Sequence, residues 1–212
     1  GAVFYYDYQD FQGFETVVDD IFGVVTGLGN LGDAEHFGAD LEALWSPPSI
    51  EGLTLQAAAT WLDTDIVESE FVETSALIDF VAGDPGDPIV ISPTEGRPRG
   101  FAAEFSYVLG GQYERRINDT LTAAATLTWS WRSEFEDNSI FAFDGGLFAV
   151  DSYGLLTGSV SLASRSGWDV SVIGQNLTDE IYVTSATSDD LLSYGQIPVR
   201  PRSWQEQVRK AF

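Results

Sequence analysis

The sequence predicts an all-β protein, an antiparallel up-and-down transmembrane β-barrel segment of about eight strands. Three observations carry that expectation. Apolar and polar residues alternate with a period of two along most of the chain, which puts successive side chains on opposite faces of a strand. Short and long joints take turns between the alternating stretches, as they do in a barrel of an outer membrane. The apolar sets are also unusually aromatic near their ends, as in the girdles of Trp and Tyr at membrane interfaces.

In order along the chain, Phe4, Tyr6 and Tyr8 alternate with Tyr5, Asp7 and Gln9, and the first three are expected to face outward. A long joint rich in Gly and Asp covers roughly 14–31. The next stretch reads two ways: Ala34, Phe37, Leu41 and Leu44 have helical spacing, while Phe37, Ala39, Leu41, Ala43 and Trp45 alternate as in a strand. Ser46 to Gly52 form a short joint. Leu53, Leu55, Ala57, Ala59 and Trp61 then alternate with Thr54, Gln56, Ala58 and Thr60, before a second long joint near 68–97.

Phe101, Ala103, Phe105, Tyr107 and Leu109 predict another strand, and Arg116 to Asp119 a short turn. Leu121, Ala123, Ala125, Leu127, Trp129 and Trp131 form the longest apolar alternation, followed by a long joint at 137–151. After the short joint Ser164 to Gly167, Trp168, Val170 and Val172 repeat the pattern, and the last long joint covers 185–199. A soluble β-sandwich with an aromatic core face has the same periodicity. The Thr, Gln and Ala of the opposite face resemble a lumen more than a charged soluble surface.

Charge is distributed unevenly. Residues 1–96 hold nineteen acids and no base, a charge of −19, whereas residues 97–212 hold fourteen acids and all ten bases, a charge of −4. That balance argues against nucleic-acid binding, which needs Lys and Arg against phosphates. Fourteen Phe, eight Tyr and six Trp are too many aromatics for a disordered acidic tail. The chain contains no Cys, which removes thiolate chemistry, and no Met, which suggests a processed or partial chain.

Few residues suggest chemistry. Gly27, Gly29 and Gly32 spell a dinucleotide-type G-x-G-x-x-G, yet no repeated strand-helix units follow it, so a Gly-rich loop is expected. His36 is the sole histidine and has no Cys or second His with which to form a zinc or triad set. The acidic pairs Asp19 with Asp20, Asp63 with Asp65, Asp84 with Asp87, and Asp189 with Asp190 lack the spacing of a Ca²⁺ loop and are expected to be solvated. Neither a catalytic group, a metal site nor a cofactor is predicted.

The most specific residues come late. Gly174, Asn176, Leu177, Thr178, Asp179 and Tyr182 match the string G-x-N-L-T-D-x-x-Y, and PRSW at 201–204 and a terminal Phe212 follow. This end resembles the last strands of TonB-dependent outer-membrane receptors. The segments at 2–12, 32–47 and 52–66 resemble the same family in the same order.

The resemblance implies that residues 1–212 are the C-terminal portion of a larger barrel of about 22 strands with a plugged lumen. The plug domain and the TonB-contacting box would lie outside this chain. It further implies a transporter rather than an enzyme, one that imports a scarce ligand such as an iron-siderophore complex, cobalamin or an oligosaccharide. Its partners would be membrane lipid, the remaining strands, the plug, the TonB complex and the small-molecule ligand. Phe212 would be the assembly signal. Counting back from it, Lys210, Val208, Glu206 and Trp204 share a face, which places Glu206 on the lipid side. Asp7, Asp40, Glu42, Asp63 and Asp65 are expected on the polar face, where a negative lumen would favour cationic or neutral ligands. The rival expectation is a self-contained small barrel or soluble sandwich acting as a binding or structural module.

Overall fold

A computed structural model describes residues 1–10, 12–19, 23–30, 32–68, 102–136, 149–190 and 193–211. The strands are β1 (Ala2–Tyr8), β2 (Gln12–Asp19), β3 (Gly23–Asn30), β4 (Asp33–Trp45), β5 (Leu53–Glu68), β6 (Phe105–Arg116), β7 (Leu121–Arg132), β8 (Phe135–Glu136), β9 (Ala149–Val150), β10 (Tyr153–Ser164), β11 (Trp168–Gln175), β12 (Val183–Asp190), β13 (Ser193–Pro198) and β14 (Ser203–Lys210). Eight of them form one antiparallel sheet in the order β1-β4-β5-β6-β7-β10-β11-β14, open at β1 and β14. The strands of this sheet follow one another along the chain, as an up-and-down meander requires.

The remaining strands pair locally, β2 with β3, β8 with β9, and β12 with β13. Two of the expected long loops, at 14–31 and 185–199, are therefore largely β-hairpins. Gly27 and Gly29 lie in β3 rather than in a turn leading to a helix, so the dinucleotide pattern is accidental. Alternation also prevails over helical spacing at 33–45, which forms the single strand β4. The joint at 68–97 lies almost wholly outside the described residues, as do Phe212, Asp20, Asp84 and Asp87.

Short turns set the register. Gly167 takes φ 87°, and a Cβ there would stand 2.6 Å from the Ala211 carbonyl oxygen, so only glycine suits the β10–β11 turn. Between β6 and β7, Asn118 Oδ1 accepts hydrogen bonds from the backbone N–H of Thr120 at 2.9 Å and of Leu121 at 3.0 Å. The Asn thus folds the turn itself, as Asx turns do.

Residues directly opposite one another share a face. One face carries Trp45, Leu55, Gly111, Leu127, Gly158, Gly174 and Trp204 in a single row across seven strands. The other carries Gln56, Gln112, Thr126, Ser159 and Ile173. The first face is apolar and open: Val3 is 71% exposed, Leu41 64% and Val208 64%. Buried apolar residues among those described are only Ala34, Phe135 and Val150. So little core, beneath so much exposed Leu, Val and Trp, does not match a two-layer sandwich, whose sheets bury such a face against each other. An outer face against lipid accounts for it.

Glu206 lies on that face opposite Val172, in agreement with the expectation from the terminal alternation. Lys210 is placed at the sheet's short-turn end, where Nζ donates to the Ser166 carbonyl and lies 5.0 Å from the Trp168 ring centroid. A Lys costs about 0–1 kcal/mol near an interface, against about 2–4 at mid-membrane.

Candidate functional site

The five acids expected on the polar face divide between the two faces. Asp40 opposes Ala2 and Thr60 on the polar side and accepts a hydrogen bond from Thr60 Oγ1 at 2.7 Å. Glu42 opposes Ala58 on the same side. Asp7, Glu35 and Asp65 instead stand in one row on the apolar side, and Asp63 stands in the next row with Phe37 and Tyr5.

The cause is unbroken alternation. Trp61, Asp63 and Asp65 are separated by two residues each, and the only irregularity between β4 and β5 lies between Asp33 and Ala34. Asp7, Asp63 and Asp65 are therefore not on the expected face. Asp7 and Asp65 lie past the rim formed by Phe37 and Trp61, whose rings meet edge-on at 5.6 Å, and Asp63 stands level with Phe37. Phe4, Tyr6 and Tyr8 are likewise exchanged in face: they oppose Gly38, His36 and Ala34 on the polar side, and Tyr8 lies 5.0 Å from His36.

The family-like string forms a corner where β11 leaves the sheet. Asn176 is buried and adopts φ 51°, a conformation that Asn tolerates better than most residues. Its Nδ2 donates to the carbonyls of Glu180 at 2.8 Å and Arg200 at 3.4 Å, while its Oδ1 accepts from the Glu180 N–H at 2.9 Å. Asp179, with φ 59°, accepts from the Arg202 backbone N–H and from Arg202 Nη2, both at 3.1 Å. Leu177 donates its N–H to the Leu156 carbonyl at 2.8 Å. A Cβ added at Gly174 would meet Leu177 and Trp204 at 2.5 and 2.8 Å, so the string closes over the apolar face.

Tyr182 ends the corner with its ring 4.2 Å from that of Tyr153. Burial, and then the neighbouring Tyr153, hold its hydroxyl above the usual tyrosine range, opposed by the positive charge of Arg132.

Arg132 itself was not singled out by sequence reasoning. It ends β7 on the polar face opposite Ser106 and Tyr153, with its guanidinium carbon 4.0 Å from the Phe135 ring centroid and 4.7 Å from that of Tyr153. The signal available was Arg132 breaking the run of Thr and Ser on its face of β7.

A meander sheet with an apolar outer face and a polar inner one, joined by turns short at one end and long at the other, defines an outer-membrane β-barrel protein. The model of the TonB-dependent receptor-like β-barrel matches residues 1–177, and the chain belongs to that family. The bacterial outer membrane is its location. Its fold is shared with the ferric yersiniabactin uptake receptor FyuA from Yersinia pestis, at TM-score 0.70 and 16% identity over 99% of this chain and 27% of that one. The siderophore receptor PiuA from Acinetobacter baumannii aligns at TM-score 0.59 and 16% identity, over 86% of this chain and 22% of the receptor. The copper transporter OprC aligns at TM-score 0.62 and 15% identity, over 99% and 29%. The chain thus spans less than a third of the length of these structures. No curated protein matches it.

Proposed function

We propose that this chain is the C-terminal barrel portion of a receptor that imports a scarce ligand across the outer membrane with energy relayed by TonB. The observation that carries the reading is the continuous eight-stranded sheet with its exposed apolar outer face, in a chain of the receptor family. Open edges in lipid leave backbone groups unpaired at several kcal/mol each, so β1 and β14 must pair with each other or with further strands, and a likeness to under a third of much longer barrels favours further strands. A longer receptor polypeptide, with a plug domain, supplies them in this reading. The family is one of receptors and transporters, not of enzymes.

Iron-siderophore complexes, cobalamin and oligosaccharides are the candidate cargo classes. Relatives that are siderophore receptors and a copper transporter favour a metal chelate. The short turns would be periplasmic and the long hairpins extracellular. Asp40 and Glu42 would line the ligand path, while Asp7, Asp63 and Asp65 would charge the outer rim.

The test is uptake of radio-iron chelates by iron-starved cells that carry or lack the whole receptor. Loss of uptake of one chelate, restored by the gene but not by a copy lacking the TonB-contacting box, is the expected result. Equal uptake of every tested chelate, cobalamin and oligosaccharide with and without the receptor would overturn the reading.

A further inference from the structure

The apolar outer face is not uniformly bulky. Towards the short-turn end it holds a hollow of about 430 Å³, where Gly111, Ala125 and Gly158 leave space between Tyr113 on one side and Leu177 and Trp204 on the other. The chain's own packing does not demand glycine at this floor. A Cβ at Gly111 would meet only Leu55 Cδ2, at 3.3 Å, and neither Gly111 nor Gly158 takes the positive φ of Gly52 and Gly167. Glycine inside a strand costs stability and often marks a place where another molecule approaches closely.

The short-turn end of the same face is cationic. Arg115 follows Tyr113 by two residues and opposes Ala123 on the apolar side. Arg165, in the β10–β11 turn, is held to the β6–β7 turn, where its backbone N–H donates to the Thr120 carbonyl at 2.8 Å. Both side chains are exposed, and neither has a carboxylate within ion-pair distance among the described residues. The other charges nearby are committed or turned away: Arg116 pairs with Asp119, Lys210 donates to the Ser166 carbonyl, and Glu114 opposes Ala124 on the polar side. Glu206 shares the row of Tyr113 but stands four strands away on β14.

An apolar hollow on a membrane face, with unpaired cations where the strands leave the bilayer, fits a molecule with one hydrocarbon end and one anionic end. A second copy of this chain docked on the same face would instead bring Arg115 and Arg165 against their own copies, because a two-fold contact joins identical patches.

We infer that the hollow and these two cations bind an anionic phospholipid of the leaflet at the short-turn end. One acyl chain fills the hollow, and Arg115 and Arg165 hold the headgroup phosphate. The inference rests on the proposed orientation, with short turns periplasmic, for the identity of that leaflet, but not for the chemistry of the lipid.

The experiment uses the whole receptor in detergent micelles, titrated with phosphatidylglycerol and with phosphatidylcholine of the same acyl chains, bound lipid being counted by native mass spectrometry. Phosphatidylglycerol is expected to bind roughly ten-fold or more tightly, as two cations near a headgroup imply. Joint Arg115→Gln and Arg165→Gln should remove that preference, and Gly111→Leu, which fills the hollow, should weaken binding of both lipids. A retained gel shift on boiling certifies a folded barrel. Equal binding of the two lipids to the wild type would overturn the inference, and this comparison needs no variant. So would an unchanged preference in the folded double variant, unchanged binding of both lipids to folded Gly111→Leu, or a lipid-free dimer that Gly111→Leu dissociates. Uptake assays separate this inference from the transporter reading. Receptor-dependent chelate uptake with no phosphatidylglycerol preference would defeat the lipid site alone, and a preference lost in the double variant of a receptor that imports nothing would defeat transport alone.

Discussion

The long-loop end of the sheet treats its polar groups in two opposite ways. At the Asn176 corner, both polar atoms of the Asn176 side chain and both carboxylate oxygens of Asp179 accept or donate hydrogen bonds within the chain. Across β1, β4 and β5, Asp7, Glu35 and Asp65 stand directly opposite one another with no base in the row. Like charges in that arrangement repel. The corner uses polarity to bend the chain, whereas the acidic row uses it to keep a strand end in water, and only the first kind of site is structurally demanding.

Four experiments sharpen or break that contrast. Asn176→Ala has the largest expected effect, because it strands the Glu180 N–H and carbonyl and puts Ala in a left-handed conformation. A loss of about 3 kcal/mol is expected in urea unfolding of the whole receptor in micelles. Asp179→Asn keeps the backbone conformation but removes the charge and one of the two oxygens that accept from Arg202, in a half-exposed pair, so a loss of roughly 1 kcal/mol is expected in the same measurement.

Tyr182→Phe acts only in alkali. A folded pKa above the ordinary 10.0 favours the neutral hydroxyl, so that stabilisation is complete below pH 10 and is lost as pH rises through the raised value. The variant should lose less stability above pH 10 than the wild type and match it at pH 8. Glu35→Gln is expected to do least, a small gain that high salt abolishes. A large loss from Glu35→Gln, or none from Asn176→Ala, would break the comparison.

The strands were legible because lipid demands an apolar residue at every second position, as in Leu121 to Trp131. Facing was legible only where the two alternating sets differ in polarity. In β1 they do not, since Phe4, Tyr6 and Tyr8 compete with Val3 and Tyr5, and a one-residue choice exchanges the whole strand. Pairing with β4 decides it. Asp63 and Asp65 were misplaced for another reason: they continue the parity of Trp61 toward the long-loop end of β5, where both are exposed and a charge is tolerated on either face. Hairpins β2–β3 and β12–β13 were hidden in Gly- and Ser-rich sequence, because partnering across a tight pair needs no hydrophobic contrast. Arg132 escaped notice because its meaning lies in Phe135 and Tyr153, brought to it by pairing rather than by any motif.

The corner has a last consequence for how such receptors diversify. Tyr182 accepts a hydrogen bond from the Val199 N–H at 3.2 Å, and the Asp179–Arg202 pair closes the chain just outside it. What lies between is a cassette sealed at its base. New sequence can be spliced in there, by evolution or by an engineer, without renegotiating which strand sits beside which.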